Sequence, residues 1–361
     1  MNFNDSSLKA GERAIYKLRE LYESFGYTQY KMSKFEEYDL YVRNKNFLIS
    51  DHIITFTDTD GKLMALKPDV TLSIVKNSAG KENGVRKLYY NENVYRVPRG
   101  AISFKEIMQA GLECIGEVDD YYILEVLSLA AKSLEIISDD YVLDISHMGI
   151  ISSIIDEMEL SGAGRQKIYN CIGEKNIHEI DAVCIGEGKN ISVADKLKKL
   201  ITLNGNCDGM LKILENSRCL DEAKELAEMI SILNTKRGGK VRLDFSVTDD
   251  SSYYSGIVFK GFINRIPSAV LSGGRYDNLM KKMGKTTSAI GFAVYLDLIS
   301  ELEYSPEEYD TDVVIIYDGA TNLEKLYELA ESVREGGERV TVRKTVPTKL
   351  KYKKLIDLSE N

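Results

Sequence analysis

Short stretches of this chain carry the residue types from which a site for a small charged molecule could be built. Lys67-Pro68-Asp69-Val70-Thr71 sets a carboxylate close to a hydroxyl, and a carboxylate accepts charge-assisted hydrogen bonds from an ammonium group. A proline-bounded turn opening a helix would explain the same pentapeptide. Gln109 and Glu113 lie in Glu106-Ile107-Met108-Gln109-Ala110-Gly111-Leu112-Glu113-Cys114-Ile115-Gly116. Strand alternation turns 109, 111 and 113 to one face, as a pocket built on a sheet requires, although a solvated strand face would have the same pattern. Tyr253-Tyr254-Ser255-Gly256-Ile257-Val258-Phe259 is followed by Gly273-Gly274-Arg275-Tyr276-Asp277, in which Arg275 either belongs to a pocket or makes a structural ion pair with an acidic neighbour. His52, His147 and His178 form no ligand cluster, and Cys114, Cys171, Cys184, Cys207 and Cys219 are scattered without a C-x-x-C pair. Reduced structural thiols and no metal site are expected.

The elements that must position these residues follow from the periodicity. Ser7 to Phe25 reads as an amphipathic helix ended by Gly26. Residues 52–57 and 62–66 flank the turn former Asp58-Thr59-Asp60-Gly61, a hairpin signal. Strands are expected at 87–97 and 107–115 and a helix at 122–137. A mostly helical stretch should follow at 150–235, broken at Gly162-Ala163-Gly164 and Asn204-Gly205-Asn206, with strands again after Lys240. Strands, a helical insertion and more strands make an α+β domain rather than an alternating βαβ fold. The tail reads as one βαβ unit, with strands at 312–317 and 339–342 around a helix at 323–334.

With 361 residues, 43% hydrophobic and 29% charged, the chain can bury one large core and leave room for a small second domain. The net charge of −9 provides no electrostatic footprint for a polyanion, though a local basic patch could still bind RNA. No run of about eighteen apolar residues occurs, and the first residues lack the marks of a secretory signal, so a cytoplasmic location with no membrane association is expected.

The stretches containing Tyr253-Tyr254 and Gly273-Gly274-Arg275-Tyr276-Asp277 resemble the two histidine-recognition signatures of histidyl-tRNA synthetases, and the resemblance covers most of residues 7 to 345. Val94-Tyr95-Arg96-Val97-Pro98-Arg99 with residues 106–116 is similar to the second class II motif, and Ala289 to Leu298 to the third. The implied fold is a class II aminoacyl-tRNA synthetase-like antiparallel sheet flanked by helices. Residues 1–305 would form the core domain, with a helical insertion at about 150–235, and 306–361 a truncated βαβ unit similar to the start of an anticodon-binding domain. By the resemblance, Asp69, Thr71, Arg96, Gln109, Glu113, Tyr253 and Tyr254 bind histidine, with Glu113 facing the imidazole.

The departures from the family pattern are chemical. Asp249 stands where synthetases carry a catalytic arginine that also faces the histidine carboxylate. Pro98 stands in place of a glutamate that reads adenine, and Leu298 in place of an arginine that stacks on it. Tyr295 replaces a glycine that gives room for the nucleotide, and Ser33 replaces a proline of the dimer interface. Adenylate formation needs preorganised cations around the reacting phosphorus, and losing one such donor costs roughly 3 to 4 kcal/mol of transition-state stabilisation. An anion at 249 adds repulsion. No residue is expected to be catalytic, while much of the amino-acid pocket persists.

That asymmetry resembles the regulatory subunits of ATP phosphoribosyltransferase, non-catalytic relatives of the synthetases that serve the first step of histidine biosynthesis. The resemblance implies a short-form ATP phosphoribosyltransferase catalytic subunit as partner, a homodimer within a hetero-oligomer, histidine as effector, no cofactor, and no tRNA partner. An active histidyl-tRNA synthetase, or a synthetase-like ligase or binding protein with an altered substrate, are the alternatives.

Overall fold

Residues 86–96 and 109–116 alternate between two largely buried faces, because this part of a long hairpin is covered on both sides by apolar layers. The computed structural model describes residues 10–44, 48, 52–77, 84–97, 102–248, 253–299 and 309–359. It has two compact units, 1–302 and 303–361.

In chain order the strands of the larger unit are β1 (Thr28–Gln29), β2 (Phe35–Glu37), β3 (Thr55–Thr57), β4 (Leu63–Leu66), β5 (Arg86–Arg96), β6 (Lys105–Gly116), β7 (Tyr141–His147), β8 (Val241–Leu243), β9 (Ile257–Ile263), β10 (Leu271–Arg275) and β11 (Ser288–Tyr295). Eight of them form one sheet in the order β1-β5-β6-β11-β10-β9-β7-β8. Every inner pair is antiparallel, and β1 and β8 join the edges in parallel. The antiparallel class II-like sheet expected from sequence is therefore present, with a short parallel strand at each edge.

Its helices are α1 (Ala10–Ser24), α2 (Tyr38–Arg43), α3 (Thr71–Asn77), α4 (Asp120–Ile137), α5 (Met148–Glu157), α6 (Gly162–Gly173), α7 (Ile177–Gly186), α8 (Asp195–Ile201), α9 (Cys207–Ile213), α10 (Leu220–Asn234), α11 (Asp277–Lys282) and α12 (Leu296–Ile299). One sheet face lies under α1 and α4, where Leu18 and Tyr22 meet Leu127, Leu134, Leu112 and Phe292 in the main core. Asp119 starts α4 by accepting a hydrogen bond from the Tyr122 amide at 3.1 Å. The opposite face carries a second core, with Leu88, Tyr90 and Val94 against Ala65, Leu72, Ile74, Tyr276 and Leu279. Helices α2, α3 and α11 and the small antiparallel sheet β2-β4-β3 contribute to that cover. The expected hairpin is β3–β4, and Gly61 in its turn has φ 86°, a left-handed conformation that suits glycine.

Helices α5 to α10 make the insertion between β7 and β8. The break expected at Gly162-Ala163-Gly164 is instead the first turn of α6. Ser161 Oγ accepts from the Gly164 amide at 3.0 Å, and this cap outweighs the low helix propensity of two glycines.

The smaller unit has three parallel strands, β12 (Thr311–Ile316), β13 (Val340–Arg343) and β14 (Tyr352–Asp357), in the order β13-β12-β14, with α13 (Leu323–Glu335) between β12 and β13. Val313, Ile315, Leu326 and Ala330 form its core. Strand β14 adds to the single βαβ unit read from the sequence. It is a mostly exposed edge strand whose lysines give no apolar face to detect.

Candidate functional site

The floor of the site is set by register. Across the sheet, Leu88, Glu113, Gly291, Gly274 and Val258 are successive partners, and so are Tyr90, Gly111, Ala293, Ser272 and Lys260. A third row runs Glu92, Gln109, Tyr295. Partners directly opposite share a face, so Gln109, Glu113, Tyr295 and Lys260 all stand on the face that bears the second core.

Glu113 is the centre of the polar cluster and only 2% exposed. Its Oε1 accepts from Thr71 Oγ1 at 2.7 Å, and its Oε2 from the Tyr276 hydroxyl at 2.5 Å. Burial pushes its carboxyl up to about 8, overriding the two hydroxyl donors, which favour the charged form; the neighbouring Asp69 adds to the rise. Tyr253, Tyr254 and Tyr276 form an aromatic wall beside it, with ring centroids 4.6 Å apart for Tyr253–Tyr254 and 5.9 Å for Tyr253–Tyr276. Glycine is required beneath that wall, since a Cβ on Gly274 would lie 2.6 Å from the Tyr254 ring.

Segment 67–71 crosses this face. At one end Lys67, fully buried, pairs with Glu92 at 2.5 Å, and its carbonyl accepts from the Tyr95 amide. At the other end Thr71 meets Glu113. Asp69 caps α3, its Oδ1 accepting from the Leu72 amide at 2.8 Å, so the turn that opens a helix and the polar cluster are built from the same residues. Burial raises the Asp69 pKa, against that hydrogen bond and the charge of Arg96. Arg96 itself is 6% exposed on β5.

The fold thus brings together Asp69, Thr71, Glu113 and Tyr253, with Tyr254 in ring contact and Arg96 within electrostatic reach of Asp69. Gln109 is buried on the same face, one row away, between Glu92 and Tyr295. Arg275 is engaged elsewhere, donating to Asp277 Oδ2 at 2.9 Å and to Ser288 Oγ at 3.2 Å, which is the ion-pair reading of that residue. Leu298 packs against the main core. Tyr295 stands over the floor in the row of Gln109. Pro98 and Asp249 lie outside the described residues. Beyond Tyr254, a cavity of about 550 Å³ opens toward the insertion, lined by Ser152, Asp156, Glu222, Asn278 and Lys281 among others; of the expected site residues it touches Tyr254 alone.

Tyr276, which bonds Glu113, belongs to the cluster without having been among the residues expected there. It lies in Gly273-Gly274-Arg275-Tyr276-Asp277 beside the more conspicuous Arg275. Among the described residues no helix is long and apolar enough to cross a membrane.

The described geometry gathers the carboxyl groups of Glu113 and Asp69 beside an aromatic surface. The family model for histidyl-tRNA synthetase matches residues 3–299. The chain is 28% identical over 343 residues to an ATP phosphoribosyltransferase regulatory subunit of Clostridium kluyveri, covering 89% of this chain and 85% of that one. It is 24% identical over 349 residues to a histidine–tRNA ligase of Methanococcus maripaludis, covering 94% and 84%. Among solved structures, an ATP phosphoribosyltransferase regulatory subunit/histidyl-tRNA synthetase from Bacillus halodurans superposes with a TM-score of 0.73 at 22% identity, over 96% of this chain and 93% of that one.

Proposed function

This chain belongs to the histidyl-tRNA synthetase family, and from that premise we propose that it is a regulatory subunit of ATP phosphoribosyltransferase. It has no catalytic residues of its own. It assembles with a short-form catalytic subunit, which needs it for activity, and it carries feedback by histidine in the first step of histidine biosynthesis. The homodimer within a hetero-oligomer and the absence of a tRNA partner belong to the same reading. Its relative in C. kluyveri bears the name of such a subunit.

The observation that carries the reading is the contrast between two halves of one site. Glu113 with Thr71 and Tyr276 makes a satisfied, buried recognition cluster. At the nucleotide end, Leu298 is committed to the core and Tyr295 holds the place of a glycine. A molecule that binds amino acid without activating it can use the binding energy as a signal, because a ligand shifts an assembly only by its differential affinity for two states.

The test is the turnover of a short-form ATP phosphoribosyltransferase chain with and without this protein while histidine is titrated. Activation that histidine suppresses supports the role. Absence of any effect, together with histidine-dependent exchange of pyrophosphate into ATP, would assign a ligase instead.

A further inference from the structure

We propose that the cleft beyond Tyr254 is a second ligand site, and that it takes a small zwitterion of the α-amino-acid class. It is distinct from the cluster around Glu113, of whose expected residues it touches Tyr254 alone. The choice of histidine as its probe rests on the regulatory reading; the room and the charges do not. Its volume of about 550 Å³ falls within the range of small-molecule sites, roughly 300 to 1,000 Å³.

The lining decides the class of ligand. Arg218 lies just before α10 and Lys281 on α11, and both line the cleft. Among the described residues neither side chain has a hydrogen bond or an ion pair. Glu222, in the first turn of α10, also lines it and is without such a partner among the described residues. Asp156, the other acid, is held by Arg165 at 2.5 Å. A simple anion entering there meets Glu222 and Asp156, and a simple cation meets Arg218 and Lys281. A molecule with an ammonium and a carboxylate has a partner for each sign.

Aromatic surface comes from Tyr169 on α6 and from Tyr254, which suits a flat side chain on that zwitterion. The Tyr254 ring also packs edge-on against Tyr253, with centroids 4.6 Å apart, in the wall beside Glu113. One side chain therefore belongs to both sites. Arg218, Lys281 and Glu222 are exposed, so water screens each contact, and each is expected to change affinity by roughly 2- to 5-fold.

Equilibrium dialysis of labelled L-histidine counts the sites on the full native chain and on the variants Arg218→Ala/Lys281→Ala, Glu222→Gln and Glu113→Gln. Two sites per native chain are expected. The double variant should weaken one of them by roughly 4- to 25-fold, the product of two such contacts. Glu222→Gln should weaken the same one by roughly 2- to 5-fold, and Glu113→Gln should act on the other. L-Histidinol, which has a hydroxymethyl group in place of the carboxylate, should bind the double variant at least as well as the native chain, because it has no anion for the two cations to meet. A single site that the double variant leaves intact would overturn the proposal and keep the reading of Glu113. A site lost in the double variant, with Glu113→Gln unchanged, would keep the cleft and overturn the reading of Glu113. Equal loss of histidine and histidinol in the double variant would mark a structural role for the two cations and overturn the proposal. A native chain that binds no histidine would overturn both.

Discussion

Gly291 and Glu113 are direct partners across β11 and β6, and a Cβ built on Gly291 would lie 1.8 Å from Glu113 Oε2. The carboxyl occupies the space that any side chain at 291 would fill. Its orientation toward Thr71 and Tyr276 thus depends on a residue that makes no polar side-chain contact.

Gly291→Ala should therefore expel the Glu113 carboxyl from its position. The Leu112 carbonyl, 2.5 Å from the same point, leaves the strand little freedom to relax. Overpacking of this kind costs about 1 to 3 kcal/mol. Thermal unfolding should show that loss, and calorimetric titration should show histidine binding abolished; full affinity in a destabilised variant would refute the link between 291 and the pocket.

The raised pKa of Glu113 predicts a pH dependence. Its folded value, about 8, lies above the ordinary 4.5, so the folded chain holds this proton more tightly than the unfolded one. The stability it contributes is complete below about 4.5, declines as pH rises, and is lost once pH passes about 8, at up to about 1.4 kcal/mol per pH unit. Glu113→Gln keeps a neutral side chain and should gain stability relative to the native chain across that window. Urea unfolding at pH 5, 6.5 and 8 measures it, and a constant difference would contradict the protonated, buried carboxyl.

Lys67 and Glu92 form an ion pair in which the lysine is fully buried and the glutamate 18% exposed. Removing one partner of such a pair costs about 3 to 5 kcal/mol, whereas replacing both with apolar groups is often nearly neutral. Lys67→Met should be strongly destabilised, and the double variant Lys67→Met/Glu92→Leu should recover most of the loss. An additive double variant in denaturant titrations would argue that the two charges act independently.

Restoring an arginine at 298 should not restore chemistry. Leu298 packs on the main core, and Leu298→Arg would place a charge against apolar surface, where an uncompensated charge is costly. We expect a lower melting temperature and no histidine-dependent pyrophosphate exchange. Exchange above background in this variant would mean that the remaining site is closer to a working synthetase than its residues indicate.

Much of the fold was legible because its signals are local. The periodicity of α1 and α4, the turn at Asp58–Gly61 and the long β5–β6 pair each follow from residues near one another in the chain. The start of α6 was misplaced because a glycine pair reads as a break until Ser161 is seen to cap it. Strand β14 was missed because an exposed edge strand carries no apolar alternation.

The sequence by itself determined which side chains are available: the acids, hydroxyls and tyrosines of the proposed amino-acid site, and Asp249, Pro98 and Leu298 where the family's arginines and glutamate would stand. The tertiary structure decided which of them meet. Tyr276 reaches Glu113 across 163 positions, Lys67 finds Glu92 rather than a ligand, and Lys260 comes to lie beside Thr248. Those pairings depend on strand register and on how segment 67–71 crosses the sheet. Register is fixed by the burial of two whole faces at once, which no local stretch of sequence encodes.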